Sequence, residues 1–324
     1  MSVETSPPAS LRRPVAPVVS VVTPLYNSSL HIDATLDSLQ AQTFMDWEAI
    51  LVDDGSTDDT RQRVERFLQD SRFTYVRQPN RGIAAARNRG IQASRGTWIA
   101  FLDHDDRWRP DKLARQLDAA ARHRWTIVCT DAVVVREGDR TPQPALYSDY
   151  LPEETRLALE HPDDPSADLF ALLIRMNFLC ASSVLVQRSL FDDHGLLDSA
   201  VAPADDYDMW LRCAARAPIG YVPEPLVEYV LHASNHSWQS ISMHRAAIRV
   251  LFRTLERCRA HETRRHACED SLTVHHALLF GELVRARAYA SAAGQACGLA
   301  RHGVRGLRIL RRSWRTRDQV RAGF

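Results

Sequence analysis

The sequence predicts an α/β protein: a mostly parallel sheet flanked by helices, followed by a helical C-terminal extension. Three observations predict it. From Val18 to about Ile127, short β-branched runs alternate with amphipathic stretches, as in a parallel sheet covered by helices. Polar clusters follow directly on three of those runs, and beyond about Ser240 the apolar residues recur at helical spacing.

The expected strands are Val18–Val22 (VVSVV), Glu48–Val52 (EAILV), Phe73–Val76 (FTYV), Trp98–Leu102 (WIAFL) and Thr126–Cys129 (TIVC). Helices are expected between them at His31–Gln42, Thr57–Gln69, Ile83–Ala93 and Pro110–Arg122, the last with Pro at its first position. The acidic, Pro-containing stretch from Pro142 to about Pro165 reads as a loop. Order resumes from Asp168 to Tyr229, with a strand at Ala181–Val186 (ASSVLV) and a helix starting near Asp205–Asp206. Two further helices, Met243–Arg259 and Glu269–Ala292, precede a basic tail. The expected organisation is therefore a flexible N-terminus (1–17), a catalytic-sized unit (18–240) with halves at 18–130 and 165–240, and a helical C-terminal region (241–324).

Composition narrows the function classes. The 324 residues are 45% apolar and 25% charged with a net charge of +1, which fits a globular protein and excludes disorder or a chain uniformly basic for nucleic acid. Lys112 is the only lysine among 41 basic residues. Met1 to Pro17 lacks the apolar core of a signal peptide, and no window supplies the roughly 18 apolar residues of a spanning helix, so a cytoplasmic location is expected. Six dispersed cysteines without a Cys-x-x-Cys pair read as free, mostly buried thiols.

The polar clusters are Thr23-Pro24-Leu25-Tyr26-Asn27, Asp53-Asp54-Gly55-Ser56 and Asp103-His104-Asp105-Asp106. In open α/β sheets ligands bind outside the carboxyl ends of the strands, so three loops distant in sequence aim at one crevice. Three aspartates within four residues repel one another, and a bound cation is the simplest compensation. Capping of the following turn is the alternative.

The strings VSVVTPLYN (Val19 to Asn27), LVDDGSTDDT (Leu51 to Thr60) and NRGIAAARNRGIQASRGTWIAFLDHDD (Asn80 to Asp106), in that order and spacing, closely resemble the family 2 inverting glycosyltransferases of GT-A (Rossmann-like) fold. With the later motifs below, the resemblance covers about two-thirds of the chain. It implies a nucleotide-sugar donor held by the first half of the sheet. Thr23, Pro24, Tyr26 and Asn27 would line the nucleoside pocket, and Asp53 would accept from the base edge or the ribose. Arg77 and Arg87 are candidates for the donor phosphates, although single arginines in so Arg-rich a chain are as often surface groups. The resemblance also implies that Asp103 contacts the donor ribose while Asp105 coordinates Mn²⁺ or Mg²⁺ bridging the diphosphate. His104, between them, either touches the donor or faces solvent.

Ala204-Asp205-Asp206-Tyr207-Asp208-Met209-Trp210-Leu211-Arg212 resembles the family's Glu-Asp-Tyr-Asp-x-Trp-x-Arg motif, with Asp205 where Glu is usual. The matching general base is Asp206, which would take the acceptor's hydroxyl proton. Asp205 reads either as part of the acceptor side or as a helix cap, and Asp208 as structural. Tyr229 to Ser237 resembles the family's Tyr-Arg-x-His-x-x-x-x-Ser stretch, with Val230 where Arg is frequent, and this makes His232 a candidate metal ligand. Trp210 and Trp238 are candidates to stack on an acceptor sugar, or else core residues. Cys258, His261, His266 and Cys268 are zinc-ligand types, but His266 turns off the shared helical face and the surroundings are Arg-rich.

From Leu299 to Phe324 there are eight arginines and one acid, Asp318, beside an apolar stripe of Leu299, Val304, Leu307, Leu310 and Trp314. That pattern suits a helix lying on the anionic inner face of a cell membrane, or one packed on the rest of the chain. The expected activity is thus sugar transfer with inversion to a glycan or lipid-linked acceptor, in cell-surface polysaccharide or glycolipid synthesis. A sugar-nucleotide nucleotidyltransferase, which would start with a Gly-rich, Lys-containing loop missing here, and a non-catalytic nucleotide-sugar-binding subunit are the alternatives.

Overall fold

The computed structural model describes residues 16–137, 145–161, 168–232 and 240–288, with Ser291 and Gln295. Trp238 and the basic tail, including the stripe ending at Trp314, lie outside the described residues. The first half follows the expected alternation: β1 (Val19–Leu25), α1 (Ile32–Gln40), β2 (Trp47–Asp53), α2 (Thr60–Val64), β3 (Phe73–Arg77), α3 (Ile83–Ala93) and β4 (Trp98–Phe101). Next come β5 (Arg107–Trp108), α4 (Lys112–His123), β6 (Ile127–Arg136), β7 (Ala145–Leu146), α5 (Glu153–Glu160) and α6 (Leu169–Arg175). The chain continues through β8 (Leu185–Gln187), α7 (Ser189–His194), α8 (Asp205–Ala214), β9 (Ile219–Leu231), α9 (Ser240–Arg257) and α10 (Glu262–Arg285).

One sheet runs β3-β2-β1-β4-β8-β6-β9-β5, with β7 beside β6. Strands β1 to β4 are parallel, β8 is antiparallel to both β4 and β6, and β6 runs parallel to β9. Every residue of β1 and β2 is buried, as expected for strands covered on both faces. Alternation along the strands divides the core. Val19, Val21, Ala100 and Leu102 pack with Leu36 and Leu39 of α1 and Leu113 of α4. Val22, Ile99 and Phe101 face the other way and share one core with α6, α8, α9 and α10. The C-terminal helices are therefore built onto the sheet rather than appended to it. Among the described residues, no helix is long and apolar enough to cross a membrane.

Several expectations change. Ala181–Ser183 forms a 3₁₀ turn, not a strand, and β8 begins only at Leu185. The Ser183 hydroxyl donates to the Cys180 carbonyl (2.8 Å), a local bond that competes with a strand ladder, and the Ser182 hydroxyl anchors the turn to distant Asp106 Oδ2 (2.5 Å). Helix α4 starts at Lys112 instead of Pro110, and α2 is a single turn followed by a 3₁₀ turn at Phe67–Gln69. The stretch read as a loop contains β7 and α5. The five described cysteines are free, and Cys129, Cys213, Cys258 and Cys268 are buried.

Two features carry the site. A Cβ on Gly90 of α3 would lie 2.3 Å from Val22 Cγ1 of β1, so the glycine lets this helix seat against the sheet and brings Arg87, one turn earlier, over the strand ends. In Gly90→Ala, overpacking of about 1–3 kcal/mol should outweigh the ~1 kcal/mol that alanine gains in helix propensity. The expected result is a lower melting temperature, and an unchanged or higher one would refute the close seating. The second feature is Lys112, fully buried, donating to Gln116 Oε1 (2.7 Å) above the Trp108 ring, with its pKa pushed down to about 7 by burial. Gln116 in turn donates to the carbonyls of Val128 and Ser183, tying α4 to β6 and to the turn beneath Asp106.

Candidate functional site

The carboxyl ends of β1, β2 and β4 lie side by side, because Leu25 pairs with Asp53 and the Leu102 N–H donates to the Val22 carbonyl. The first two loops are laced together. Asn27, at φ +49°, takes the Thr57 N–H on its Oδ1 (2.9 Å) and donates its own N–H to Ser56 Oγ (3.0 Å), and the Ser28 N–H donates to Thr60 Oγ1 (2.7 Å). Asp53 is fully buried; its Oδ1 accepts the Ser56 N–H (2.7 Å) and its Oδ2 the Tyr75 hydroxyl. Burial and the adjoining Asp53 charge raise the Tyr75 pKa, which keeps it a donor. Asp54 serves the scaffold, accepting from Gln78 Nε2 and the Arg81 and Gly82 N–H groups at the start of α3.

Of the other expected donor residues, Tyr26 is half exposed at the rim and Thr23 is buried with its hydroxyl unpartnered. Pro24 follows Thr23 within buried β1. Arg77 is largely exposed, with Nη2 donating to the Ser56 carbonyl (3.0 Å) and Nε 3.9 Å from Asp53. The His104 carbonyl accepts from Thr35 Oγ1 (2.8 Å), which pins the backbone of the acidic loop to α1.

Arg87 departs from expectation. It does not reach outward: its side chain is 5% exposed, and Nη2 donates to both carboxylate oxygens of Asp103 (2.8 and 3.0 Å), while Nη1 lies 3.7 Å from Asp205 Oδ2. Burial disfavours its charge, but Asp103, Asp205 and Asp206 outweigh that and raise its pKa. Asp205 is buried without hydrogen-bond partners. Burial raises its pKa against the pull of Arg87. Asp206 is pushed up to about 7 by burial and the Asp205 charge, again with Arg87 opposing.

Trp210 is also corrected. It is 1% exposed and meets Phe101 edge-on with centroids 5.9 Å apart, so this indole is a core residue of α8 and not an acceptor platform. Asp208 pairs with Arg212 (2.8 Å) on the same helix, as a structural residue should.

The acidic loop splits its three aspartates. Asp103 turns to Arg87. Asp106 is fully buried on Ser182 and the Val230 N–H (3.1 Å), and burial with the Asp105 and Asp103 charges raises its pKa. Asp105 meets His232 Nε2 at 2.8 Å, and the His232 ring stacks on His31 at 4.8 Å. Burial and the nearby His232 lower the His31 pKa, against the opposite influence of Glu137 and Asp105. A carboxylate and an imidazole meeting over an acidic loop form a donor set that fits a divalent cation. Sequence reasoning missed Tyr75 within β3, Ser182 in the turn before β8 and His31 ahead of α1, since none of them belongs to a polar cluster that closes a strand.

The glycosyl transferase family 2 profile matches residues 20–195, more than half of the chain and spanning every donor-side residue above. This chain belongs to glycosyl transferase family 2. It is 30% identical over 225 residues to EpsH of Bacillus subtilis (strain 168), named as a glycosyltransferase; the match covers 68% of this chain but 62% of EpsH. Among solved structures, S. aureus TarS 1–349 in complex with UDP-GlcNAc superposes with a TM-score of 0.60 at 18% identity, over 80% of this chain and 72% of TarS 1–349. The mannosyltransferase PcManGT of Pyrobaculum calidifontis, in complex with GDP-Man and Mn²⁺, superposes at 0.60 and 19%, over 93% and 84%. At such identities these two structures speak for the GT-A fold, and the family 2 assignment rests on the sequence match.

Proposed function

We propose that this chain transfers a sugar from a nucleotide-sugar donor to a hydroxyl of a glycan or lipid-linked acceptor, with inversion, in polysaccharide or glycolipid synthesis. The observation that carries the reading is the Arg87 cluster. One buried guanidinium joins Asp103, at the end of a donor-side strand, to Asp205, beside Asp206 at the start of α8, so the donor loop and the proposed base share one site. Residues 18–240 are taken as the catalytic unit, with donor and acceptor halves at 18–130 and 165–240.

In the proposed step the acceptor oxygen forms a bond to the anomeric carbon as the bond from that carbon to the phosphate oxygen breaks. The electron pair leaves with the nucleoside diphosphate, and the hydroxyl proton passes to Asp206. Thr23, Pro24, Tyr26, Asn27 and Asp53 hold the nucleoside, Asp103 the ribose, and Arg77 reaches toward the diphosphate beside His104. Mn²⁺ or Mg²⁺ held by Asp105 and His232 would neutralise charge on the leaving diphosphate. UDP-GlcNAc and GDP-Man, bound by the two structural neighbours, are the first donors to test. A cytoplasmic location, with the basic tail at 299–324 on an anionic membrane surface, completes the reading.

Donor consumption should fall at least tenfold on chelation by EDTA and return with added Mn²⁺ or Mg²⁺. Turnover indifferent to chelation would remove the metal, and a product of retained anomeric configuration would remove the inverting step.

A further inference from the structure

Strands β6 and β9 run parallel in register up to Arg136 opposite Leu231, and the Glu137 N–H donates to the Leu231 carbonyl (3.0 Å). Glu137 and His232 therefore leave the sheet side by side. His31 arrives from a different direction, on the residue preceding α1; its side chain caps nothing, and its ring lies face to face with that of His232, 19° from parallel. One ligand atom each from His31, Glu137 and His232 lie within 4.8 Å of one another.

We propose that His31, Glu137 and His232, beside Asp105, form a cation site that the chain completes without its donor, and that this site selects first-row transition ions over Mg²⁺. Three atoms so placed share a point within about 2.8 Å of all of them, and closing to the roughly 2.0–2.3 Å of bound transition metals takes about half an ångström of movement from each, together with a turn of the imidazoles out of their stack that brings both in-plane lone pairs onto the ion. The two imidazoles decide the selectivity. Mg²⁺ favours oxygen donors and retains waters, usually taking one or two carboxylates plus phosphate oxygens. Imidazole nitrogens favour transition ions, with affinity rising from Mn²⁺ to Co²⁺. Two imidazoles and a carboxylate would also leave coordination positions open for oxygens of the proposed diphosphate. The site deepens the transferase reading and rests on it for that last point.

The test uses the full chain without nucleotide. Mn²⁺, Co²⁺ and Mg²⁺ are titrated by calorimetry, and the visible absorption of bound Co²⁺ reports nitrogen ligation. Co²⁺ and then Mn²⁺ should bind more tightly than Mg²⁺, by tenfold or more. His31→Ala and the exposed Glu137→Gln should each weaken Mn²⁺ binding by roughly ten- to a hundredfold, with unchanged melting temperatures in the absence of metal. Binding of Mn²⁺ only when UDP or GDP is added, affinities untouched by both substitutions, or equal affinity for Mg²⁺ would overturn the site and leave the transferase reading standing. Tight Mn²⁺ binding with no donor bound or consumed would overturn the transferase reading and leave the site.

Discussion

Asp206→Asn is expected to lower transfer by roughly two to four orders of magnitude, the usual contribution of a positioned general base, while nucleotide binding survives. The isosteric amide keeps the shape of the acceptor side but cannot take a proton. Because burial and Asp205 push the Asp206 pKa up to about 7, the acid limb of the wild-type profile has a definite place. The base must be ionised, so kcat/KM rises with pH through about 7 and levels above it. In Asp206→Asn that limb disappears, and the residual rate is flat across the same interval. Steady-state rates from pH 5.5 to 8.5, together with the rise in melting temperature on adding nucleotide, separate lost chemistry from lost binding. Full activity in the variant, or an acid limb preserved at the same pH, would remove Asp206 from the role.

Arg87→Met should be the most destabilising single change in the site, at about 3–5 kcal/mol, the range for removing one partner of a buried ion pair. The methionine fills similar space but leaves Asp103, Asp205 and Asp206 without the charge that holds them together. The sign of the pH effect follows from Arg87 opposing the rise that burial imposes on the pKa of Asp205 and Asp206. Its contribution is complete only above about pH 7, where Asp206 is ionised, and is lost as these acids protonate below it, so wild type and variant converge on acidification. Urea midpoints at pH 7 and pH 4.5 measure both quantities. Arg87→Lys should recover only part of the loss, because an ammonium cannot reproduce the two-pronged contact with Asp103. A deficit under about 1 kcal/mol at pH 7 in Arg87→Met would mean the cluster is wet and loosely held.

The first half of the sheet was legible because its strands are short, mostly apolar runs, and polar clusters close three of them, β1, β2 and β4, at the strand ends of the structure. Strand β9 was hidden by Gly220, Pro223 and Pro225. The structure keeps Gly220 in register opposite Val128 and accommodates the two prolines by breaking register between Thr130 and Ala132 of β6, an irregularity no periodicity displays. For Trp210 the sequence left a sugar platform and a core position open; it lies one turn on from Asp206 along α8, and only the packing of its indole against Phe101 places it in the core. Arg87 resembled dozens of other arginines, and only the proximity of Asp103 and Asp205, from distant segments, marks it as buried. His31 and Glu137 belong to no motif, and their meeting depends on the parallel pairing of β6 with β9.

Lys112 has one more consequence. Since it is the sole lysine and is wholly enclosed between Trp108 and Gln116, the folded chain offers acylating reagents no lysine amine. Its lowered pKa leaves the amine mostly uncharged at pH 8, so enclosure alone withholds it from reaction. Acetylation at this one position, followed by mass spectrometry, would then count openings of the region between α4 and β6, giving a single-site clock for how often the floor beneath the acidic loop comes apart.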